Sequence, residues 1–235
     1  MGWPVGAVLT AEMRRAYGWV GSLLWAKGPP PLGPATWQVF HISLLLGAAV
    51  ATLLLIVEAG SGRTAMALRR LAAGVAGVVA ARTVIGWLWQ LNGAALATIA
   101  VLAGRHPLPP PSLYASLIDD LVFGIPYLLL LLGFALLLVA RLAAIALFAA
   151  IAPLPWLLST HQALRRLPLL WVYELAAWML MPAAEGLVLV LVRGLGSELP
   201  LAVPASDMLL SLVLLAVMVR LPFTLLHGSR RWLER

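Results

Sequence analysis

Apolar residues run along this chain in blocks of about twenty, broken by short clusters of arginine, proline and glycine. Thr36 to Val57 is the cleanest block, 22 residues without a formal charge, interrupted only by His41 and closed by Glu58 and Gly60. An α-helix crossing a hydrocarbon layer of ~30 Å needs about that length, so the block predicts a transmembrane helix. Arg63, Arg69 and Arg70 come next. A second charge-free run of 22, Thr83 to Gly104, extends upstream through the small-residue stretch LAAGVAGVVAA, which places the start of its helix near Ala65. Arg105-His106-Pro107 and Pro109, Pro110 and Pro111 end it.

Leu121 to Ala140 and Leu142 to Thr160 are charge-free on either side of Arg141. Together they exceed one crossing at ~1.5 Å per residue, and two readings compete. Either Arg141 marks a turn between two spans, or one long helix bends, its second half re-entrant or packed on partners near Pro153 and Pro155. A further span runs from about Leu167 to Val192 and holds Glu174, Pro182 and Glu185; the last, about Asp207 to Leu226, holds Arg220 and Pro222. At the start, Leu9, Met13, Tyr17, Val20 and Leu24 recur at helical spacing among Trp3, Trp19 and Trp25, which predicts a helix lying in the headgroup layer. Lys27-Gly28-Pro29-Pro30-Pro31 ends it as a stiff linker. The pattern therefore predicts an all-α polytopic transmembrane helix bundle with five crossings, or six if Arg141 is a turn. Residues 1–30 form an interfacial helix and linker, and 31–235 a single membrane domain. Glu12, Arg14 and Arg15 interrupt the apolar core that a cleaved signal peptide requires, so the start reads as mature protein.

Composition sharpens this reading. The chain is 63% hydrophobic and 11% charged, with a mean hydropathy of +0.99, far from the half-apolar, quarter-charged average of soluble domains. The absence of cysteine excludes a disulfide scaffold, a thiolate metal site and a cysteine nucleophile. The formal net charge of +7 bears first on orientation and lipid headgroups rather than on nucleic acid. With five crossings, residues 60–70, 159–166 and 228–235 share one side and carry three, two and three arginines. Basic loops stay cytoplasmic, so the N-terminus is expected outside and the C-terminus in the cytoplasm. On that arrangement Arg82 and Arg141 reach the same depth, near the inner boundary, where their side chains can snorkel.

Glu174 and Glu185 lie 11 residues apart, three helical turns, on one face unless Pro182 rotates the register. Acids inside a membrane helix suggest a proton or cation relay; the bland reading pairs them with Arg193, Arg141 or Arg220. His41 is read as a helix contact rather than a proton shuttle, and Asp119-Asp120 as first-turn residues favoured by the helix dipole. Ala73, Gly77 and Ala81 form a small-residue stripe that permits close helix contact. The ten tryptophans, Trp37, Trp87, Trp89, Trp156, Trp171 and Trp232 among them, read as belt anchors. No HExxH, GxxxxGK[ST], GxSxG or GxGxxG occurs, so the hydrolase, NTPase and dinucleotide mechanisms lack their minimum parts. Neither an enzyme, a cofactor nor a metal site is expected.

Three stretches, in order, resemble the TrbL/VirB-type polytopic inner-membrane components of conjugative type IV secretion systems. They are Arg141 leading an apolar helix into Ala152-Pro153-Leu154; Leu167 to Leu191, opening with Trp171 after a basic loop; and Val219-Arg220-Leu221-Pro222-Phe223. The resemblance implies a non-catalytic channel or scaffold subunit, helping single-stranded DNA or protein across a bacterial or archaeal inner membrane. It further implies homo-oligomerisation within a larger complex and dependence on separate cytoplasmic ATPases. Arg141, Pro153, Arg220 and Pro222 carry over as motif positions only. The rival expectation, from the acids alone, is a small-solute or ion transporter working through Glu174, Glu185 and His41.

Overall fold

The structure, a computed structural model, describes residues 15, 16, 18–20, 22, 31, 33–102, 117–198, 212–220, 223 and 224. Among the described residues 92% are helical and none is in a strand. The elements are α1 (Pro34–Gly60), α2 (Thr64–Leu102), α3 (Leu117–Ala150), α4 (Pro153–Leu158), a 3-10 turn (Gln162–Leu164) and α5 (Leu167–Glu198). Four helical segments, Pro34–Gly60, Thr64–Leu102, Ile125–Ala150 and Gln162–Leu191, are long and apolar enough to cross a membrane. The fifth predicted span falls only partly within the described residues, where 212–220 are helical. Most of the predicted interfacial helix, the proline loop after Gly104 and Pro222 lie outside them.

The outer surfaces are what identify the solvent. Leu45, Val79, Trp87 and Leu191 are 65 to 78% exposed, in helices that are apolar all round. A water-soluble protein does not present such continuous apolar surface, whereas a helix that is hydrophobic on every face suits a lipid environment. The chain is a polytopic membrane protein.

α3 settles the ambiguity around Arg141. It is one helix from Leu117 to Ala150, so Arg141 is no turn. After Ala150 the chain breaks at Ile151–Ala152 and restarts as α4, six residues long. At ~1.5 Å per residue α4 covers about 9 Å and cannot cross, so residues 142–158 make no crossing of their own. Pro153 causes the restart: it lacks an N–H and its ring would clash with the carbonyl four residues earlier in a continuing helix, but it is well suited to the first position of a new one, where it stands. It begins a second helix rather than kinking the first.

By contacts the chain divides into two compact units: Met1–Gly28, Asn92–Arg141 and Met181–His227 form the first, and Pro29–Leu91, Leu142–Leu180 and Gly228–Arg235 the second. The core of the first unit is Tyr127, Leu131, Phe134 and Leu138 of α3 with Leu189 of α5, Leu214, Leu215 and Met218 of residues 212–220, and Val20. In the second, Phe40 and Ala51 of α1, Val78, Ala81 and Ile85 of α2, Ile145 and Ala149 of α3, and Trp171, Leu175 and Met179 of α5 enclose Leu157 of α4.

Within the second unit α1 and the first half of α2 make a helical hairpin. Gly62 closes α1 with φ +77°, a conformation costly for residues with a Cβ. The Gly62 N–H donates to the Ala59 carbonyl (3.0 Å) and the Arg63 N–H to the Glu58 carbonyl (3.1 Å), the paired bonds of a Schellman cap.

Candidate functional site

In the first unit an ion pair joins α3 to α5, and its origin is visible in the helix spacing. Tyr127, Leu131, Phe134 and Leu138 are buried at steps of four, three and four residues, the seam spacing of a helix packed on a neighbour. The next step of three reaches Arg141. On α5, Met181 and Leu189 are buried four residues either side of Glu185. Both charged residues are thus carried inward by their helices' packing stripes. Their side chains are 3% and 0% exposed, with Arg141 Nη1 at 3.4 Å from Glu185 Oε2.

Burying either charge alone would cost several kcal/mol, so each requires the other. The contact is single rather than forked, and Arg141 Nε and Glu185 Oε1 are buried without a hydrogen-bond partner among the described residues. This is the bland pairing expected from the sequence, with Arg141 as the partner. Arg141 does not snorkel to a boundary; its guanidinium stays inside the protein.

The second constellation surrounds α4 in the other unit. Trp156 lies over Gly77 of α2, where a Cβ would overlap its ring, and the Trp156 carbonyl oxygen would stand 2.7 Å from a Cβ at Gly74. Leu157 and Leu154 fill the space beside Gly47 of α1. The Ser43 hydroxyl donates to the Ala150 carbonyl (2.7 Å) at the end of α3, with the Phe40 carbonyl also in reach at 2.8 Å. This supplies a side-chain partner to a helix terminus whose last carbonyls have none within the helix. Trp171 of α5 donates its indole N–H to the Phe148 carbonyl (2.8 Å) and stands edge-on to Trp156 at 6.4 Å between ring centres. Two of the three stretches behind the family resemblance, 141–154 and the opening of α5, therefore meet here through Phe148 and Trp171. Trp156 and Trp171 are packing residues, not belt anchors, because small residues opposite Trp156 admit its ring and Trp171 packs against it; Trp87 is 78% exposed.

The same unit corrects the depth assigned to Arg82. Its guanidinium lies 4.9 Å above the Trp37 ring, which itself stacks on Phe40. Trp37 is 23 residues, ~35 Å, from Gly60 along α1. Arg82 thus sits at the end of the hairpin opposite the Arg63 turn, not at the same boundary as residues 60–70. The physical reason is that the first half of α2, rather than Thr83 to Gly104, runs back along α1.

At the Arg63 end, His161 caps the 3-10 turn, its Nδ1 accepting from the Ala163 N–H at 3.3 Å. That leaves Nε2 to carry the proton on the neutral ring, facing Glu58 Oε1 at 3.9 Å.

The remaining candidates are scattered. Glu174 is half-buried in the second unit and Glu185 fully buried in the first. His41 is exposed, edge-on to Trp37 at 4.8 Å. Arg220 is exposed at the end of the helical residues 212–220. Asp119 and Asp120 occupy the third and fourth positions of α3, and Arg193 lies within α5. No cluster of three or more histidine or acidic residues able to hold a metal ion occurs among the described residues. Comparison of the chain with protein-family models, with curated proteins and with solved structures gives no match.

Proposed function

We propose that this chain is a non-catalytic wall and scaffold subunit of a type IV secretion or conjugation-like machine in a bacterial or archaeal inner membrane. The observation that carries the reading is the Arg141–Glu185 pair. Arg141, the head of the first family-like stretch, is committed to a carboxylate inside its own unit. Its role is then to fix α3 on α5, as a wall requires. The rest of that stretch, with Pro153 starting α4 and Leu154 against Gly47, is likewise occupied in packing.

On this reading the chain works as an oligomer beside other secretion subunits, and separate cytoplasmic ATPases drive single-stranded DNA or protein through the assembly. The Arg63 and Arg165 turns face the cytoplasm, with the N-terminus outside and the C-terminus inside. Purification from native membranes in mild detergent is expected to recover a large assembly containing those ATPases, and deletion to abolish transfer. Recovery of a free monomer together with undiminished transfer after deletion overturns the proposal.

A second reading, a small-solute or ion transporter, draws on the unpartnered Oε1 of Glu185 and Nε of Arg141. It requires that vesicles containing this protein alone take up solute with proton or sodium coupling, and that Glu185→Gln abolishes the uptake.

A further inference from the structure

The basic turns at one end of the second unit carry an inference independent of the secretion reading. Two segments distant in sequence meet there: His161 Nε2 stands 3.9 Å from Glu58 Oε1, and the Arg63 N–H donates to the Glu58 carbonyl. The contact brings together the turn bearing Arg63, the first turns of α2 bearing Arg69 and Arg70, and the turn bearing Arg165 and Arg166. Arg63, Arg69, Arg165 and Arg166 are exposed and Arg70 is half-buried, donating to the Met66 sulfur at 3.0 Å. Segments 58–70 and 159–170 hold five arginines against one acid, a formal +4. That acid, Glu58, has a side chain only 6% exposed and turned to His161.

The surface beside these arginines is apolar. Ile56, Val57, Met66, Leu68 and Leu169 are each 49 to 65% exposed. A nucleic acid or soluble anion has nothing to offer such side chains, whereas a phospholipid covers them with its acyl chains and presents its phosphate to the guanidinium groups. Guanidinium is suited to this role because its planar fork matches phosphate oxygens two at a time.

We propose that this end of the unit is a binding site for anionic phospholipid headgroups, with Arg63, Arg69 and Arg165 contacting phosphate and the flanking aliphatic residues contacting the chains. Each cationic residue near a charged membrane surface is worth about a five-fold preference. Removing three therefore weakens the selection for anionic over neutral lipid by on the order of a hundred-fold.

The test uses the full chain in detergent, with native mass spectrometry counting retained lipid as phosphatidylglycerol or phosphatidylcholine is titrated in. Phosphatidylglycerol is expected to be retained preferentially. The R63Q/R69Q/R165Q variant should lose that preference while keeping its unfolding temperature in phosphatidylcholine nanodiscs. Should the triple variant fold poorly, Arg69→Gln and Arg165→Gln singly are each expected to cost about five-fold. Equal retention of the two lipids by the parent protein, or undiminished preference in the variants, overturns the proposal. Displacement of the lipid by millimolar inorganic phosphate also overturns it, by identifying a free-phosphate site instead.

Discussion

Adding one methyl group at Gly77 is expected to destabilise this protein, although the same change on an exposed helical surface would strengthen it. Glycine to alanine gains about 1 kcal/mol of helix propensity. At Gly77 the new Cβ overlaps the Trp156 ring, and at Gly74 it stands 2.7 Å from the Trp156 carbonyl oxygen, a backbone atom that can retreat only if α4 moves. Overpacking of this kind costs about 1–3 kcal/mol, so Gly77→Ala and Gly74→Ala are each expected to come out at up to about 2 kcal/mol less stable after the propensity gain. For a chain of this size that is a fall of up to about 8 °C in unfolding temperature. Gly86, in the same helix, has nothing within 4 Å of its would-be Cβ, and Gly86→Ala is expected to be neutral or stabilising. Thermal unfolding in one detergent or nanodisc, followed by tryptophan fluorescence, compares the three. Combining Gly77→Ala with Trp156→Ala isolates the clash: the double variant should lose less than the two singles added together. If Gly77→Ala is as stable as Gly86→Ala, or the two changes add independently, Trp156 does not sit on α2 and α4 is not held there.

The geometry sets three more outcomes. Arg141→Met alone strands a buried carboxylate and is expected to cost about 3–5 kcal/mol, while Arg141→Met with Glu185→Met recovers most of it; the same unfolding assay reads both, and a double variant no better than the single refutes the pairing. Since the native chain has no cysteine, single cysteines report sidedness directly. One at Gln38 and one at Thr83 should label from the same side of the membrane and one at Ser61 from the other, and labelling of Thr83 with Ser61 would refute the hairpin depth of Arg82. Gly62→Ala puts a Cβ at φ +77° and is expected to cost about 1–2 kcal/mol, measurable against Gly60→Ala, which has open space and lies within the helix.

The class of the fold is legible in the sequence because hydropathy is a property summed over twenty residues, and no local detail can reverse it. The same holds for the start of α2, expected near Ala65 and found at Thr64. What periodicity cannot say is which neighbour a helix face meets. Residues 72–77 contain four alanines or glycines at positions 72, 73, 74 and 76 besides Gly77, so several small-residue stripes are equally good. The sequence suggests the one through Ala73, yet Ala73 is exposed and Gly74 buried, because Trp156 from a distant segment makes the choice. Arg141 is the opposite case. The steps from Tyr127 through Leu131, Phe134 and Leu138 point to it, and that seam turns it inward, whereas reasoning from depth alone sends it to the boundary. The sequence offers three cations to Glu185; Arg141 lies 44 residues away, and only tertiary structure selects it. Arg82 eludes depth reasoning for a related reason: a 39-residue helix offers more than one stretch able to cross.

The brevity of the Ser61–Arg63 connector has a bearing on how the protein is made. Three residues keep the facing ends of the two arms within about 14 Å of each other, so the two helices are expected to enter the bilayer as one hairpin, with the Glu58 and Ala59 carbonyls satisfied at the bend. Lengthening that connector is expected to uncouple their entry while leaving the packing contacts in place.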